Sequence, residues 1–364
     1  MKIGILGTRG IPNYHGGFEQ FAEYFAIYLA KKGFDVSVYN SSTHPFKEST
    51  FNGVKIIHCF DPEDKIGTIG QFVYDLNCIL DSRKRKFDIL LQLGYTSSSV
   101  WGRFLPKNSQ IITNMDGLEW KRSKYSKAVQ KFLKYAEKCA VKSSNYLVSD
   151  SIGIQKYLEK TYDVNSKYIA YGATIFKESN VNILTEYNLE AYNYNMLIAR
   201  LEPENNIEII LDGVVEANRQ IPFLVIGKYD TNKFGKHLKN KFKNTNIIFV
   251  GGIYNIEHLN NLRYYSNLYF HGHSVGGTNQ SLLEAMASNA LIVAHKNEFN
   301  KSILTNSGFY FNSKAQVKNY IETINKKEYY SKLEDSKSTI ELNFNWEFIN
   351  KEYLDFFNEC FIQN

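Results

Sequence analysis

The 364-residue chain is poor in cysteine, with only Cys59, Cys78, Cys139 and Cys360, and no two of these form a CxxC pair. Their wide spacing excludes a zinc ribbon and a disulfide-rich secreted scaffold and fits a reducing compartment. No run of about 18 uninterrupted apolar residues occurs, so no membrane-spanning helix is expected. The opening Met1-Lys2-Ile3-Gly4-Ile5-Leu6-Gly7 lacks the charged segment and long apolar stretch of a cleaved signal, and a cytoplasmic location is expected. An excess of one charge is also missing. The 43 Lys and Arg against 37 Asp and Glu leave +6, too little for a dedicated nucleic-acid binder of this length.

Several chemical signatures are absent as well. Gly4, Gly7 and Gly10 follow the first apolar run with a spacing other than GxGxxG, and Tyr39-Asn40 stands where a ribose-binding acid would end the second strand. Both features disfavour a nicotinamide oxidoreductase. There is no GxxxxGK[ST] loop and no HExxH, and His271-Gly272-His273 is a lone HxH, so neither a metal nor another cofactor is expected.

What the chain does have is apolar content: 43% hydrophobic and 15% aromatic residues, enough to offset the entropy of ordering a packed protein. Its length favours two domains. Ile3 to Leu6 reads as a strand, Phe18, Phe21, Ala22, Phe25, Tyr28 and Leu29 recur at helical spacing, and Val36 to Tyr39 begins a second strand. The alternation continues through Lys55 to His58, Ile89 to Leu93, Ile111 to Asn114, a long helix from Trp120 to Cys139, and Tyr146 to Ser149. A second series runs through Met196 to Ala199, Phe223 to Ile226, Ile247 to Val250, Leu268 to Phe270, Leu291 to Ala294 and Phe309 to Phe311. Strands separated by helix-length segments require crossovers and a parallel sheet. The pattern predicts an α/β protein with two doubly wound, Rossmann-like domains facing each other across a cleft. Residues 1–170 form the first domain, 171–192 a connection, 193–345 the second domain, and 346–364 a C-terminal helix returning to the first.

Candidate ligand groups lie just after strands. Gly16-Gly17 precedes a helix, where peptide N–H groups can approach an anion without hindrance from a Cβ. The loop His271 to Asn279, with Gly276, Gly277 and Thr278, opens the helix that carries Glu284, a carboxylate placed to accept from ribose hydroxyls. Arg200 ends the first strand of the second series, where a planar guanidinium suits a diphosphate.

Ile198-Ala199-Arg200-Leu201 with Pro203-Glu204, and Gly276 to Glu284 followed by Ala285-Met286-Ala287, resemble the donor domain of glycosyltransferase family 4, the GT-B retaining transferases. Gly7-Thr8-Arg9-Gly10-Ile11-Pro12, Gly16-Gly17-Phe18-Glu19 and Asp116-Gly117-Leu118-Glu119-Trp120-Lys121-Arg122 are similar to its bacterial rhamnosyltransferase-like branch. The resemblance implies retaining transfer of a sugar, with L-rhamnose the sugar of that branch. The donor would be a nucleotide diphosphate sugar and the acceptor a hydroxyl of a lipid-linked bacterial surface glycan. It places Arg200, Gly276, Gly277, Thr278, Asn279 and Glu284 on the donor, with Gly252, Ile253 and Tyr254 at the base and Gly16 and Gly17 nearby. Asp116 and Glu19 are the expected catalytic residues, and Arg9 and His15 lie on the acceptor side. Two positions depart from the family pattern: Gly276 replaces the first of two glutamates eight apart, and Asn205 replaces a lysine. These departures keep open a catalytically silent sugar-nucleotide-binding scaffold. A nucleotide-sugar epimerase is a further alternative.

Lys124, Lys127, Lys131, Lys134 and Lys138 are spaced 3, 4, 3 and 4, with Val129, Phe132, Leu133, Ala136 and Ala140 expected on the opposite helix face. Such a basic stripe suits an anionic membrane surface, and peripheral association at the inner face of the cell membrane is expected.

Overall fold

The computed structural model describes residues 1–14 and 16–362. The chain divides into two compact units. The first comprises Met1–Lys121, Tyr125–Tyr171 and the C-terminal residues from Trp346; the second comprises Arg122–Lys124 and Gly172–Asn345.

In the first unit eight strands lie in the order Thr50–Phe51, Val54–Cys59, Asp35–Ser41, Lys2–Leu6, Ile89–Leu93, Gln110–Asn114, Tyr146–Ser149, Lys167–Tyr168. All neighbours are parallel except Thr50–Phe51, which pairs antiparallel at the edge. Ile3 stands opposite Val36 on one side and Ile89 on the other, so the chain reverses its winding direction at the first strand. Central strands buried on both faces read as apolar runs, as in Ile89–Leu93, every residue of which is buried. The helix Trp346–Ile362 closes this unit through aromatic packing. Tyr353 lies 4.7 Å from Phe21 between ring centres, Phe357 lies 5.4 Å from Phe25, and Trp346 stacks on Tyr24 at 4.4 Å.

The second unit holds six parallel strands in the order Ile247–Gly251, Phe223–Ile226, Asn195–Ile198, Leu268–His271, Ile292–His295, Phe309–Phe311. Its core joins Leu197, Leu211, Val225, Phe270 and Phe311. Here the winding reverses at Asn195–Ile198, and beyond the carboxyl end of such a strand a ligand finds a crevice between diverging loops. Of residues 171–192, expected as a connection, all but Tyr171 group with this unit: Val181–Tyr187 forms a short 3-10 segment, and the Tyr187 hydroxyl lies 2.9 Å from His258 Nδ1.

The helix expected from Trp120 to Cys139 instead runs Lys127–Ser143. Ser126 fixes its start by accepting the Val129 N–H, and Glu119–Lys121 is a separate 3-10 turn.

Candidate donor site in the second unit

At the carboxyl edge of the second sheet two loops run side by side, one from Ala199 to Asn206 and one from His271 to Asn279. Gly272 makes this possible, because a Cβ there would stand 1.9 Å from the Asn205 carbonyl oxygen. Ser274 donates to the Glu204 carbonyl through its N–H (3.2 Å) and its hydroxyl (2.7 Å). The Asn206 amide donates to the Gly272 carbonyl at 2.8 Å, and the Asn205 amide to the Arg200 carbonyl at 2.7 Å. Asn297 and Asn300 both donate to the His273 carbonyl, at 2.9 and 3.0 Å. Side-chain amides thus replace a backbone ladder in setting the path of both loops.

Gly276 has φ +136, a conformation that a side chain rarely adopts, although nothing lies within 4 Å of where its Cβ would be. Backbone conformation and not crowding favours glycine here. A glutamate at this position would require the backbone to move. Thr278 is buried, Gly277 is half-buried, and the Asn279 side chain accepts the Ser281 N–H at 3.0 Å to cap the helix Gln280–Ala287. The first turn of that helix contains no acid, so its positive end is not neutralised from within. Arg200 is exposed just beyond Asn195–Ile198.

Glu284 occupies the second turn, where its Oε2 accepts from Arg263 Nη2 at 2.7 Å. The Arg263 side chain is 1% exposed and that of Glu284 17%. Arg263 also donates to Asn260 Oδ1 at 3.0 Å and to Ser281 at 3.3 Å. A buried cation therefore keeps Glu284 in place with part of its carboxylate toward solvent. Sequence reasoning missed Arg263, which stands in the last turn of the helix Ile256–Tyr265 with no motif around it.

His271 and His273 stack at 4.5 Å between ring centres. Neither ring nitrogen of buried His271, nor Nδ1 of His273, has a hydrogen-bond partner. Burial, with His273 and Arg263 nearby, holds His271 well below the ordinary histidine range. Burial together with the charges of Arg200 and Arg122 pushes His273 down to about 3. Both rings are neutral at physiological pH. Gly252, Ile253 and Tyr254 follow the edge strand Ile247–Gly251, which is separated from Asn195–Ile198 by Phe223–Ile226. The Tyr254 ring is 71% exposed, with Lys228 Nζ 5.6 Å from its centre.

Among the expected residues of the first unit, Arg9 and Glu19 engage each other. Glu19 is buried in the first turn of the helix Gly17–Lys31, and its Oε1 accepts the Arg9 N–H at 2.9 Å. Arg9 Nη2 pairs with Glu63 Oε1 and Oε2 at 2.8 and 2.6 Å. Gly16 and Gly17 are exposed; a carboxylate of the protein already lies in the first turn that they open, so that turn is less suited to a further anion. Asp116 follows Gln110–Asn114 with φ 45, and its N–H donates to Asn114 Oδ1 at 2.9 Å. His15 lies outside the described residues. Among the described residues no three His, Cys, Asp or Glu side chains gather as a metal site.

The lysine stripe differs from its expected form. Lys124 precedes the helix and groups with the second unit. Lys134 turns inward, its Nζ 4.7, 4.6 and 5.0 Å from the ring centres of Trp120, Tyr157 and Tyr162 and 2.8 Å from Glu137 Oε1. Glu137 is buried, and Lys134, half-buried, turns its charge toward it and the rings. Lys127, Lys131 and Lys138 remain exposed. Val129 and Phe132, expected on the face opposite the lysines, are 39% and 38% exposed, so the outer face of this helix is mixed basic and apolar. Among the described residues no helix is long and apolar enough to cross a membrane.

Residues 185–338 match the family described as Glycosyl transferases group 1, and residues 1–174 match a domain of unknown function (DUF1972). No curated protein matches the chain. Among solved structures, sucrose-phosphate synthase from Thermosynechococcus elongatus superposes with a TM-score of 0.78 at 16% identity, covering 100% of both chains. Anabaena HepE in complex with UDP-glucose gives 0.77 at 14% identity over 98% of this chain and 99% of that one. The trehalose 6-phosphate synthase of Burkholderia multivorans gives 0.72 at 10% over 98% and 96%. At these identities the likeness establishes the fold. The chain therefore has the fold of the GT-B glycosyltransferases and carries a glycosyl transferases group 1 domain.

Proposed function

We propose that the protein is a retaining glycosyltransferase that moves a sugar, L-rhamnose in our reading, from a nucleotide diphosphate donor to a hydroxyl of a lipid-linked surface glycan. The observation that carries this reading is the grouping, in one family-matched unit, of exposed Arg200, the open loop Gly276–Thr278 at an unneutralised helix end, and Glu284 held by buried Arg263. Backbone N–H groups and the guanidinium would take the diphosphate, and Asn279 would join them at the helix start. Glu284 would accept from ribose hydroxyls, with Gly252, Ile253 and Tyr254 beside the base. The bond between the anomeric carbon and the diphosphate oxygen breaks, the acceptor oxygen bonds to that carbon, and the acceptor proton passes to the departing diphosphate. Catalysis then rests on positioning and on stabilising the leaving charge, without a metal. Asp116 would orient the acceptor hydroxyl, with Glu19 and Arg9 shaping its surroundings.

A thermal-stabilisation screen of UDP-, dTDP- and GDP-sugars tests the donor assignment, because a ligand bound by the native state raises the melting temperature. UDP-sugars come first, since HepE was solved with UDP-glucose. Failure of every nucleotide sugar to stabilise the protein would remove the reading. Binding without transfer to any acceptor or water would favour a silent scaffold.

The mixed face of the helix Lys127–Ser143 is our candidate for contact with anionic lipid. Lys127, Lys131 and Lys138 supply charge while Val129, Phe132 and Tyr135 supply apolar surface. Each lysine contributes about 1 kcal/mol near such a membrane, screened over about 8 Å at physiological salt. The triple change of these lysines to Gln should lower sedimentation with phosphatidylserine vesicles. Equal sedimentation of variant and parent would reduce the face to a solvated one.

A further inference from the structure

A diphosphate carries more negative charge than one guanidinium offsets, and Arg200 is the single cation that the donor loops themselves supply. Asn205 is neutral and spends its amide on the Arg200 carbonyl. A second cation approaches these loops from a different part of the sequence. Arg122–Lys124 groups with the second unit, although the residues on both sides of it belong to the first. Two side-chain contacts tie it there. The Ser123 hydroxyl donates to Glu204 Oε2 at 3.0 Å, and Arg122 Nη1 stands 3.9 Å from Glu204 Oε1. The Arg122 side chain is 13% exposed and that of Glu204 3%. The Glu204 carbonyl in turn receives both Ser274 donors, so the carboxylate that faces Arg122 belongs to the same residue that fixes the glycine loop. At 3.9 Å the ion pair is longer than a hydrogen bond, and Glu204 Oε1 has no hydrogen-bond partner. Arg122 and Arg200 both lie near enough to half-buried His273 to disfavour its protonation, and the neighbouring His271 is fully buried with both ring nitrogens unpartnered. Two cations and a set of unsatisfied polar atoms thus border one loop.

We propose that Arg122 is a second diphosphate ligand, placed beside the Gly276–Thr278 loop by Glu204 and Ser123. Arg122 and Arg200 together provide the charge that Asn205 cannot, and Glu204 is a positioning residue that orients the Arg122 guanidinium. The assignment rests on the donor site proposed above and deepens it.

The test uses the full chain and isothermal calorimetry. The parent is first titrated with UDP, dTDP, GDP and ADP; if none binds, the donor-site reading itself fails. With a diphosphate that the parent binds, Arg122→Gln should weaken affinity about 10- to 100-fold, the range for losing charge-assisted hydrogen bonds. Affinity for the corresponding nucleoside, which lacks phosphate, should stay within about twofold by NMR titration, a selectivity that a general loss of structure would not produce. Arg122→Lys keeps the charge beside Glu204 and serves if Arg122→Gln does not fold. Its expected loss is about three- to tenfold, because an ammonium cannot fork between phosphate oxygens. A folded Arg122→Gln that binds the diphosphate within twofold of the parent overturns the proposal. So does an Arg122→Lys with parent affinity, or an equal loss for nucleoside and diphosphate.

Discussion

Two turns in this chain follow the same plan, a strand, a pair of glycines and a helix, yet one carries a carboxylate in its first helical turn and the other carries none. In the first unit Gly16-Gly17 opens the helix Gly17–Lys31, and Glu19 fills its first turn while accepting the Arg9 N–H. Arg9 is itself committed to Glu63. In the second unit Gly276-Gly277 leads to the helix Gln280–Ala287, whose first turn holds no acid, and the carboxylate Glu284 is one turn further in and tied to Arg263. The first turn carries its own carboxylate, whereas the second, capped by the neutral Asn279 side chain, carries none. A glycine pair before a helix is therefore only a permissive feature, and the charge placed in the following turn decides whether an anion is welcome.

Arg263→Ala should break the comparison most severely. It leaves Glu284 without its cation and empties a fully buried side chain, costing about 3 to 5 kcal/mol of stability in denaturant unfolding. A loss under about 1 kcal/mol would show that Arg263 does not hold the donor-side carboxylate.

The two units have pH signatures of opposite sign. Burial pushes the Asp75 carboxyl up to about 7, with Asp61 and Glu63 adding to the rise and Ser97 and Arg9 opposing it. Between about pH 4 and 7 the unfolded chain has released this proton while the folded chain keeps it, so stability falls as pH rises through that window. Asp75→Asn should remove that contribution, raising stability at pH 8 by about 4 kcal/mol relative to the parent. Chemical denaturation at pH 5 and pH 8 reads the difference, and parallel losses in both proteins would assign the slope elsewhere. His271 and His273 act in the opposite sense: the fold keeps them neutral while the unfolded chain takes up their protons below about pH 6.5, so their contribution to stability falls as pH falls.

Arg200→Ala should weaken nucleoside diphosphate binding by about 2 to 3 kcal/mol, the loss of a bidentate charged contact. Wild-type affinity would remove Arg200 from the site. The finest discrimination lies between the two helix carboxylates. Glu284→Gln should cost about 1.5 kcal/mol in nucleotide affinity, while Glu19→Gln should change it by less than about 0.5 kcal/mol and act on the stability of the first unit instead. If calorimetry on both folded variants gave equal nucleotide losses, the two turns would not differ in the way that their charges indicate.

Much of the architecture was legible before any coordinates. Apolar runs such as Ile89 to Leu93 and Phe223 to Ile226 match strands, because burial on both faces leaves no room for polar alternation. The loop from His271 to Asn279 shows its turn chemistry in its glycines and its helix start in Asn279. The basic helix was misread in two ways. Its beginning depends on the Ser126 cap, and Lys134 folds back, half-buried, onto aromatic rings contributed by Trp120, Tyr157 and Tyr162.

The sequence by itself determined the alternation of strands and helices and the residue types at the strand ends, because side-chain periodicity and turn preferences are properties of neighbouring residues. Only the tertiary structure decided which charges are spent internally. Glu284 meets Arg263, Glu19 meets the Arg9 backbone, and Glu204 draws in Arg122 and Ser123. Each of these pairings depends on loops or helices that chain topology brings together, and a charge buried by folding must find its partner there or carry an uncompensated desolvation cost.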